Sequence, residues 1–571
     1  MPGLALADPF PDGVRTIGVG ERRSHVTVDQ SQATSDQIAR DDAHLESLGI
    51  KPELQRSLGL FSSFAIAFSF ISVSTGSYGN FGVGIGLSGP VFFWTWFIVI
   101  AGQLLVALNF AELSSHFPVA GSIYQWSKRM SNRTLGWFTG WFYFWAQVVT
   151  VSAVAVIVGY VISSFTGGGQ EFLDSPGPAG FANMHLFISL TTLLITTLIN
   201  AFGVRLLSII NNIGVATEIL GMLVFALVLL FFANNQSPEV LFDFGGTEGA
   251  QNGNLFATFL LGLYMSIFIV YGFDTAGSFG EETVNASSAA PRGVLSSILV
   301  SGAVGVVFLL AVILAIPSVP DTIAEGLAGG FPIGTIITTN LNQELFAGVT
   351  FGEIYLLVIL ASVFVCTLAI QGAATRMMFS MGRDRHLPLG SVWGHVNSTF
   401  RTPANAAIAV GVIAALPIIF TGPYNAFVLS IMATGLIYLS YFLCNFGVLL
   451  ARTRGWPHRS AAFNLGGWGF VINVLALLYG LVMLVNIAIW VDPAFGDFGS
   501  DGRGFWNPFI NSFLSFLGTP LDWLPAWPLY ETMVGVFLIL GVLYYVISVR
   551  GTAHDVEAER AELPGSDELI G

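Results

Sequence analysis

Long apolar segments recur along almost the whole chain, and they constrain its fold more than any other feature. Of the 571 residues, 54% are hydrophobic and only 10% are charged. A soluble protein of this size needs far more charge on its surface, whereas about 20 consecutive apolar residues suffice for a helix to span a bilayer. The sequence therefore predicts an all-α polytopic membrane protein.

Hydropathy predicts twelve transmembrane helices between two polar tails, 1–57 and 550–571. The first 50 residues contain no apolar segment of the signal-peptide type. We expect both tails to be solvated. The predicted spans are 58–88, 91–113, 135–163, 184–204, 206–232, 254–282, 293–316, 353–381, 404–421, 424–450, 466–490 and 530–549.

The basic residues predict the orientation of these spans. If the N-terminus is cytoplasmic, Arg503 is the only one of the 21 Lys and Arg residues that falls outside. Positive charge concentrates in cytoplasmic loops, so this segregation supports both the span count and the orientation. We expect a multi-pass protein of the plasma membrane with both termini cytoplasmic. The net charge of −14 makes nucleic acid an unlikely partner.

Two of the spans are polar in their middle. The first carries "SVSTGSYGNFGVG" at 72–84, and the sixth carries "FIVYGFDTAGSFGEE" at 268–282. They begin successive five-helix blocks, 58–232 and 254–450, and an odd number of helices turns the second block upside down. This order predicts an inverted repeat with two additional helices at 466–549, and paired breaks indicate a binding site at the membrane midplane.

In the first broken span, Gly76 can let the chain leave helical geometry. Ser74, Thr75 and Ser77 could bind a solute or satisfy freed backbone groups. A half-helix starting near Tyr78 would aim its positive end into the gap, where a substrate carboxylate is stabilised. The alternative is a close helix–helix contact through small residues.

In the sixth span, Gly272 marks the expected break, and Asp274 is an acid at mid-membrane depth. Such residues are rare and usually functional. Asp274 could pair with a substrate amine or cap the half-helix that follows, and one carboxylate could do both. Phe268 and Tyr271 could close over the substrate, although aromatic residues are also common in helix-bundle cores.

Glu218 is a further buried acid, predicted in the fifth span. It follows the cytoplasmic end by about 12 residues, which places it roughly 18 Å deep at about 1.5 Å per residue. A carboxylate at this depth is a candidate for proton coupling or for contact with a cation. The alternative is a structural, hydrogen-bonded glutamate.

Other features predict no chemistry. Cys366 and Cys444 both fall within spans and suggest neither a disulfide framework nor a metal site. The aromatic segment 137–145 fits a membrane-interface belt and is assigned no ligand. We find no catalytic motif and no phosphate-binding loop, so we expect no enzymatic activity, no cofactor and no metal.

Three segments resemble the amino acid–polyamine–organocation (APC) superfamily, and most closely its amino acid/choline branch. They are "GLSGPVFFWTWFIVIAGQLLVALNFAELSSHFPVAGSIYQWSKRM" at 86–130, "YGFDTAGSFGEETVNASSAAPRGVLSSI" at 271–298 and "AIQGAATRMMFSMGRDRHLP" at 369–388. The resemblance covers about residues 55–550. It implies a leucine-transporter-like fold of five plus five inverted helices and two more, working by alternating access.

The resemblance also implies roles for single residues. The family's substrate carboxylate usually sits at the break of helix 1, here Thr75–Gly76–Ser77. This triplet departs from the common Gly-Ser/Thr-Gly pattern, which leaves amines such as choline possible. Gly272 falls on a family glycine, and Asp274 falls on an acidic position of some members.

By the same resemblance, Phe268 falls on an aromatic gate position. Glu218 aligns with a lysine of proton-coupled members, so the sign of the charge is reversed here. Sodium-coupled relatives of the fold use paired hydroxyls in helix 8, whereas this helix has Ser362 and Thr367 but no adjacent pair. This difference favours protons over sodium as the coupling ion.

Together these features predict a secondary active transporter that moves an amino acid or a related small amine and is coupled to protons. Alternatives are an exchanger, or a permease for choline or polyamine. A channel or a transport-dead sensor is a further alternative. The expected partners are the small-molecule substrate, the coupling proton and the lipid bilayer.

Overall fold

The computed structural model describes residues 34–346, 348–458, 461–491 and 529–550. Most of the N-terminal tail, the loop with Arg503 and the C-terminal tail after residue 550 lie outside the described residues. In the described part, the only sheet is a hairpin of β1 (Glu344–Phe346) and β2 (Val349–Thr350). The rest of the regular structure is helical, which confirms the predicted all-α class.

The helices are numbered here in chain order. Each of the twelve predicted spans coincides with at least one of them. They are α1 (34–47), α2 (Leu60–Ile71), α3 (Val73–Ser88), α4 (Phe93–His116), α5 (Ser122–Met130), α6 (Arg133–Thr166), α7 (Gly169–Asp174), α8 (Met184–Phe202), α9 (Val204–Phe232), α10 (Leu255–Ile269), α11 (Thr275–Ser278), α12 (Ala286–Leu314), α13 (Val319–Leu327), α14 (Pro332–Asn340), α15 (Phe351–Arg383), α16 (Gly390–Trp393), α17 (Ala404–Thr421), α18 (Pro423–Thr453), α19 (Gly469–Asn486) and α20 (Leu529–Tyr544).

Not every predicted span is long enough to count as one on its own. Among the described residues, nine helices are long and apolar enough to cross a membrane, or ten if the bent pair Pro238–Gln251 and Leu255–Ile269 forms one span. The segments Ala404–Phe420 and Val534–Val549 are apolar but shorter. The chain is thus a multi-pass membrane protein, and the number twelve stays a prediction.

The helices pack in two groups around the broken spans. The helices α10 and α12 pack against the broken pair α2 and α3, and α4 packs against α10 and α12. The helix α6 packs along α8, α15, α17 and α18. The last two helices lie at the periphery, with α19 against α4 and α18, and α20 against α6 and α18. The pairs α2–α3 and α10–α11 lie in the first group, and α15 contacts both groups.

The first break lies at Ser72, four residues before the predicted position. Ser72 has φ 34° and ψ 83°, and α3 already begins at Val73 rather than near Tyr78. The Ser72 hydroxyl accepts a hydrogen bond from the Thr75 N–H, as an N-cap does. The prediction of a break at Gly76 was therefore wrong, because a capping hydroxyl ends one half-helix and begins the next.

Gly76 instead lies inside α3 and allows a close helix contact. A Cβ atom at this position would lie 2.6 Å from Cγ1 of Ile269, the last residue of α10. Gly82 and Gly84 make similar contacts, against Gly326 of α13 and Met265 of α10. The small residues of this span thus serve close packing, which was the alternative reading of the sequence.

The second break lies at Gly272, as the sequence predicts. The helix α10 ends at Ile269, Gly272 has φ +91°, and α11 begins at Thr275. Only glycine adopts such a backbone conformation without strain. A Cβ atom on Gly272 would also lie 2.0 Å from the ring of Phe70, near the end of α2. The two breaks therefore contact each other directly.

Replacing Gly272 by alanine should destabilise the protein strongly. The alanine combines a strained positive φ, which costs about 1–3 kcal/mol, with a clash against the Phe70 ring. We expect a clear fall of the melting temperature of the purified protein in detergent. Gly59→Ala is the matched control, since a Cβ atom there meets nothing within 4 Å. Equal melting temperatures for both variants would contradict the close contact of the breaks.

Candidate substrate-binding site

Glu218 lies at the N-terminus of the half-helix α3. Its Oε1 atom accepts hydrogen bonds from the Ser72 hydroxyl at 2.9 Å and from the Ser74 N–H at 3.1 Å. The side chain is buried. A carboxylate is stabilised at this end of a helix by the free N–H groups and the dipole. The sequence predicts a substrate carboxylate at the start of this half-helix, and the structure places a carboxylate of the protein there.

The helix α15 covers the end of the preceding half-helix. The Cys366 thiol donates to the carbonyl of Phe70 across 3.6 Å. The two hydroxyls that the sequence singled out in this helix both donate to the backbone of the helix itself. Ser362 donates to Val358, and Thr367 to a carbonyl one turn earlier in the same helix.

Asp274 is enclosed by hydroxyl groups. It accepts hydrogen bonds from Ser122 at 2.9 Å, from Tyr143 at 2.7 Å and from Tyr441 at 2.6 Å. The Tyr441 hydroxyl also accepts the Gly272 N–H at 2.8 Å. These donors belong to α5, α6 and α18. Asp274 therefore ties the break between α10 and α11 to three other elements. The side chain is fully buried.

The second role considered for Asp274, capping of the half-helix that follows, is wrong. The side chain makes no capping hydrogen bond to α11. Its backbone already has helical angles, φ −64° and ψ −14°, and its carboxylate is bonded to the three hydroxyls instead. An N-cap residue normally has extended backbone geometry, which lets its side chain turn back to the first N–H groups.

Several hydroxyl groups at the breaks are buried without a hydrogen-bond partner in the described part of the chain. Ser74 and Tyr355 approach each other without a hydrogen bond of normal geometry. Unpaired buried polar groups cost free energy, so a polar solute that bonds to them gains affinity. They are the hydroxyls of Ser74, Ser77, Tyr271, Thr275 and Tyr355.

Aromatic rings line the same region. The ring of Tyr271 lies edge-on to Phe70 at 6.1 Å between centroids and to Phe268 at 6.0 Å. Phe268 is 5% exposed and also contacts Tyr264. This cluster places Phe268 and Tyr271 beside the breaks. Their closing over a substrate stays a prediction.

Two ion pairs join the segment that follows α11 to α15. They lie at the end of the molecule that the charge pattern predicts to be cytoplasmic, which is called the inner end here. Glu282 pairs with Arg376 through two bonds of 2.9 Å, and both side chains are 0% exposed. Glu281 pairs with Arg383 at 2.9 Å. The sequence did not reveal these pairs, although the acids are adjacent and the arginines stand seven residues apart on one helix face.

A third polar cluster surrounds Asp384, just after α15. Burial alone would raise the pKa of this carboxyl, but the positive charges of Lys128 and Arg383 and the hydrogen bond from Lys128 together outweigh it and hold the pKa below its usual range. Burial lowers the pKa of His386 to about 4, so the ring is neutral near pH 7 and accepts a hydrogen bond from Arg133 at 3.0 Å. This cluster joins α5 to the end of α15.

The sequence also did not single out Ser72, Tyr143 or Tyr441. Tyr143 falls in the aromatic segment 137–145, which we interpreted as an interface belt without a ligand. Its hydroxyl instead bonds Asp274. The signal that could have identified these three residues is a polar side chain within an apolar span. In the described ranges, no cluster of three or more His, Cys, Asp or Glu residues could hold a metal ion.

The overall fold of the described chain matches that of a solved structure. The solved structure of MhsT in complex with L-phenylalanine superposes with a TM-score of 0.52, covering 76% of this chain and 99% of that chain at 13% sequence identity. At this identity the likeness shows the fold alone. The fold is therefore of the leucine-transporter-like class.

The sequence comparisons identify the family within this class. The family model described as "Amino acid permease" matches residues 58–519. Amino-acid permease BAT1 of Arabidopsis thaliana is 29% identical over 489 residues, covering 83% of this chain and 91% of the relative. Its homolog in Oryza sativa subsp. japonica is 32% identical over 461 residues, covering 78% and 87%. The chain belongs to the amino acid permease family, and it is a transporter rather than an enzyme.

A more distant relative carries a different name. A putative polyamine transporter of Candida albicans is 24% identical over 461 residues, covering 77% of this chain and 80% of the relative.

Removal of one partner of the buried ion pair should destabilise the protein. Glu282→Gln leaves the Arg376 charge buried without its counter-ion, which costs about 3–5 kcal/mol. We expect a large fall of the melting temperature. Glu53→Gln is the control, because the Lys51–Glu53 pair is exposed and such pairs contribute at most about 1 kcal/mol. A Glu282→Gln variant as stable as the control would contradict a buried pair.

Proposed function

We propose that this permease moves an amino acid or a related small amine across the plasma membrane by alternating access, coupled to protons, with both termini in the cytoplasm. The observation that carries the proposal is the contact of two non-helical segments, at Ser72 and Gly272, with buried polar groups around them. Such paired breaks are where transporters of inverted-repeat design bind their substrates.

The ends of the half-helices supply complementary charges for a zwitterion. The carbonyl ends of α2 and α10 carry partial negative charge and, with Asp274, favour the substrate amine. The N-terminus of α3, with Ser74, Thr75 and Ser77, favours the carboxylate. We therefore propose that the amine binds on the Asp274 side and the carboxylate at the start of α3.

Glu218 offers a way to couple a proton to this binding. In its charged form, the carboxylate occupies the Ser74 N–H that the substrate carboxylate would use. A proton on Glu218 removes the charge that the helix end stabilises, and so frees this end for the substrate. Proton and substrate would thus bind together, which is the requirement for symport.

Uptake by protein reconstituted in liposomes tests the coupling. The wild type should accumulate substrate faster when the outside is more acidic. Glu218→Gln cannot take up or release a proton at this position. We expect it to lose concentrative uptake by about tenfold or more while it retains exchange of substrate across the membrane.

The matched control for this experiment is Glu239→Gln, which changes an exposed carboxylate outside the twelve predicted spans. It should accumulate substrate like the wild type. A Glu218→Gln variant that still concentrates substrate in response to a proton gradient would contradict the coupling role. Uptake that requires internal substrate, in the wild type as well, would favour an exchanger.

Asp274→Asn tests the amine contact. The variant should bind amine-bearing substrates about tenfold more weakly or worse, and bind analogues that lack the amino group as the wild type does. Inhibition constants for matched pairs, such as an amino acid and its deamino analogue, measure this ratio. Tyr143→Phe is the control variant, because it removes one hydroxyl that donates to Asp274 but keeps the carboxylate. An equal loss for both members of each pair would make Asp274 structural instead.

A permease for polyamines or choline is the second candidate function. The centre holds two buried carboxylates, Glu218 and Asp274, and both are bonded to neutral groups rather than to a basic side chain. Such a centre could bind an amine without a carboxylate, and one relative is named as a putative polyamine transporter. A thermal-shift screen of the purified protein against amino acids, choline and polyamines separates the two candidates.

A further inference from the structure

A buried amide lies near the break between α10 and α11. Gln147, in α6, is 0% exposed, and neither its Oε1 nor its Nε2 atom makes a hydrogen bond of normal geometry within the described residues, although the amide approaches the Tyr143 hydroxyl. An amide offers one acceptor and two donors, and leaving all of them unpaired in a buried place is costly. Native proteins rarely keep such a group unless something else bonds to it.

The register of α6 shows where this amide points. Tyr143 lies one turn before Gln147, and its hydroxyl bonds Asp274 at 2.7 Å. Thr150 lies one turn after Gln147, and it approaches the hydroxyl of Tyr271. Residues at these spacings share one face of a helix. Gln147 therefore lies on the same face as two residues that reach residues 271 and 274, the two sides of the Gly272 break.

The Tyr271 hydroxyl completes the polar surface at this position. It is buried, 2% exposed, and has no hydrogen-bond partner of normal geometry in the described part of the structure. Its ring is held by Phe70 and Phe268. Gln147 of α6 and Tyr271 of the break thus supply buried polar groups beside the same non-helical segment.

We propose that Gln147 and Tyr271 form a subsite for an uncharged hydrogen-bonding group of the substrate, a hydroxyl or an amide on its side chain. Both protein groups are neutral and can donate as well as accept, so they match a neutral partner that does the same. The charged ends of the substrate are bound elsewhere, by Asp274 and the start of α3. The subsite rests on the proposed function and narrows its substrate class to polar side chains.

The subsite would act as a specificity filter. A site built to bond a hydroxyl or amide rejects an analogue that lacks it, because the buried groups of the protein are then left unpaired. The transporter should therefore prefer serine to alanine, threonine to valine and glutamine to methionine, in spite of their similar sizes.

Substrate pairs measured on Gln147→Met test the subsite. Methionine keeps the length of the side chain and removes both polar groups. The wild type should bind the polar member of each pair about tenfold more tightly, the effect of one buried hydrogen bond, and the variant should bring this ratio close to one. Tyr271→Phe, which removes a single hydroxyl, should move the ratio in the same direction and keeps the test valid if Gln147→Met does not fold.

Gln371→Met is the matched control. Gln371 is also fully buried and has an unpaired Oε1 atom, but its Nε2 atom bonds Thr197 in the contact of α15 with α8. This variant should lower the melting temperature and leave the ratios unchanged. Affinities come from thermal shift and from inhibition of uptake.

The outcomes separate the subsite from the proposed function. A wild type that binds neither amino acids nor amines would overturn the proposed function and the subsite with it. A wild type that binds them without preferring the polar members, or variants of Gln147 and Tyr271 with wild-type ratios, would overturn the subsite alone.

Discussion

The two unwound segments depend on hydrogen bonds from helices outside the broken pairs. Backbone groups in the membrane interior cannot bond to water, so a broken helix persists there only if other parts of the protein bond to its free groups. Tyr441 of α18 accepts the Gly272 N–H, Glu218 of α9 accepts the Ser74 N–H, and Cys366 of α15 donates to the Phe70 carbonyl. Three neighbouring helices thus hold the breaks open.

In the proposed mechanism, the same contacts would link binding to movement. A substrate that bonds to the free ends of the half-helices must compete with Glu218 and with the hydroxyls around Asp274. Each replacement changes a contact between the broken pairs and α6, α9 or α18. At the inner end, the ion pairs of Glu281 and Glu282 with α15 hold the segment that follows α11 in place. Opening of this end would require these pairs to separate or to move together with α15.

The sequence predicted the number and place of the broken spans, because glycines, hydroxyls and an acid stand out in an apolar segment. It located the break at Gly272 but missed the one at Ser72. The reason is that Gly76 leaves room for Ile269, a residue almost 200 positions away in the sequence. In a sequence, a glycine needed for packing cannot be told from one needed for a helix break.

The partners of the predicted residues could not be derived in the same way. The depth of Glu218 follows from counting residues, but its bond to Ser72 depends on how α9 docks against the first broken span. The three hydroxyls around Asp274 come from elements between 122 and 441, and nothing local marks them as neighbours. Local chemistry therefore identified the acids, and only tertiary packing identified what they bind.

A structure of the purified protein in a lipid nanodisc, determined with a saturating amino acid, tests the central claim most directly. We predict ligand density between the segment that joins α2 to α3 and the segment that joins α10 to α11, in contact with the start of α3. Ligand bound elsewhere, or continuous helix through both Ser72 and Gly272, would contradict the account.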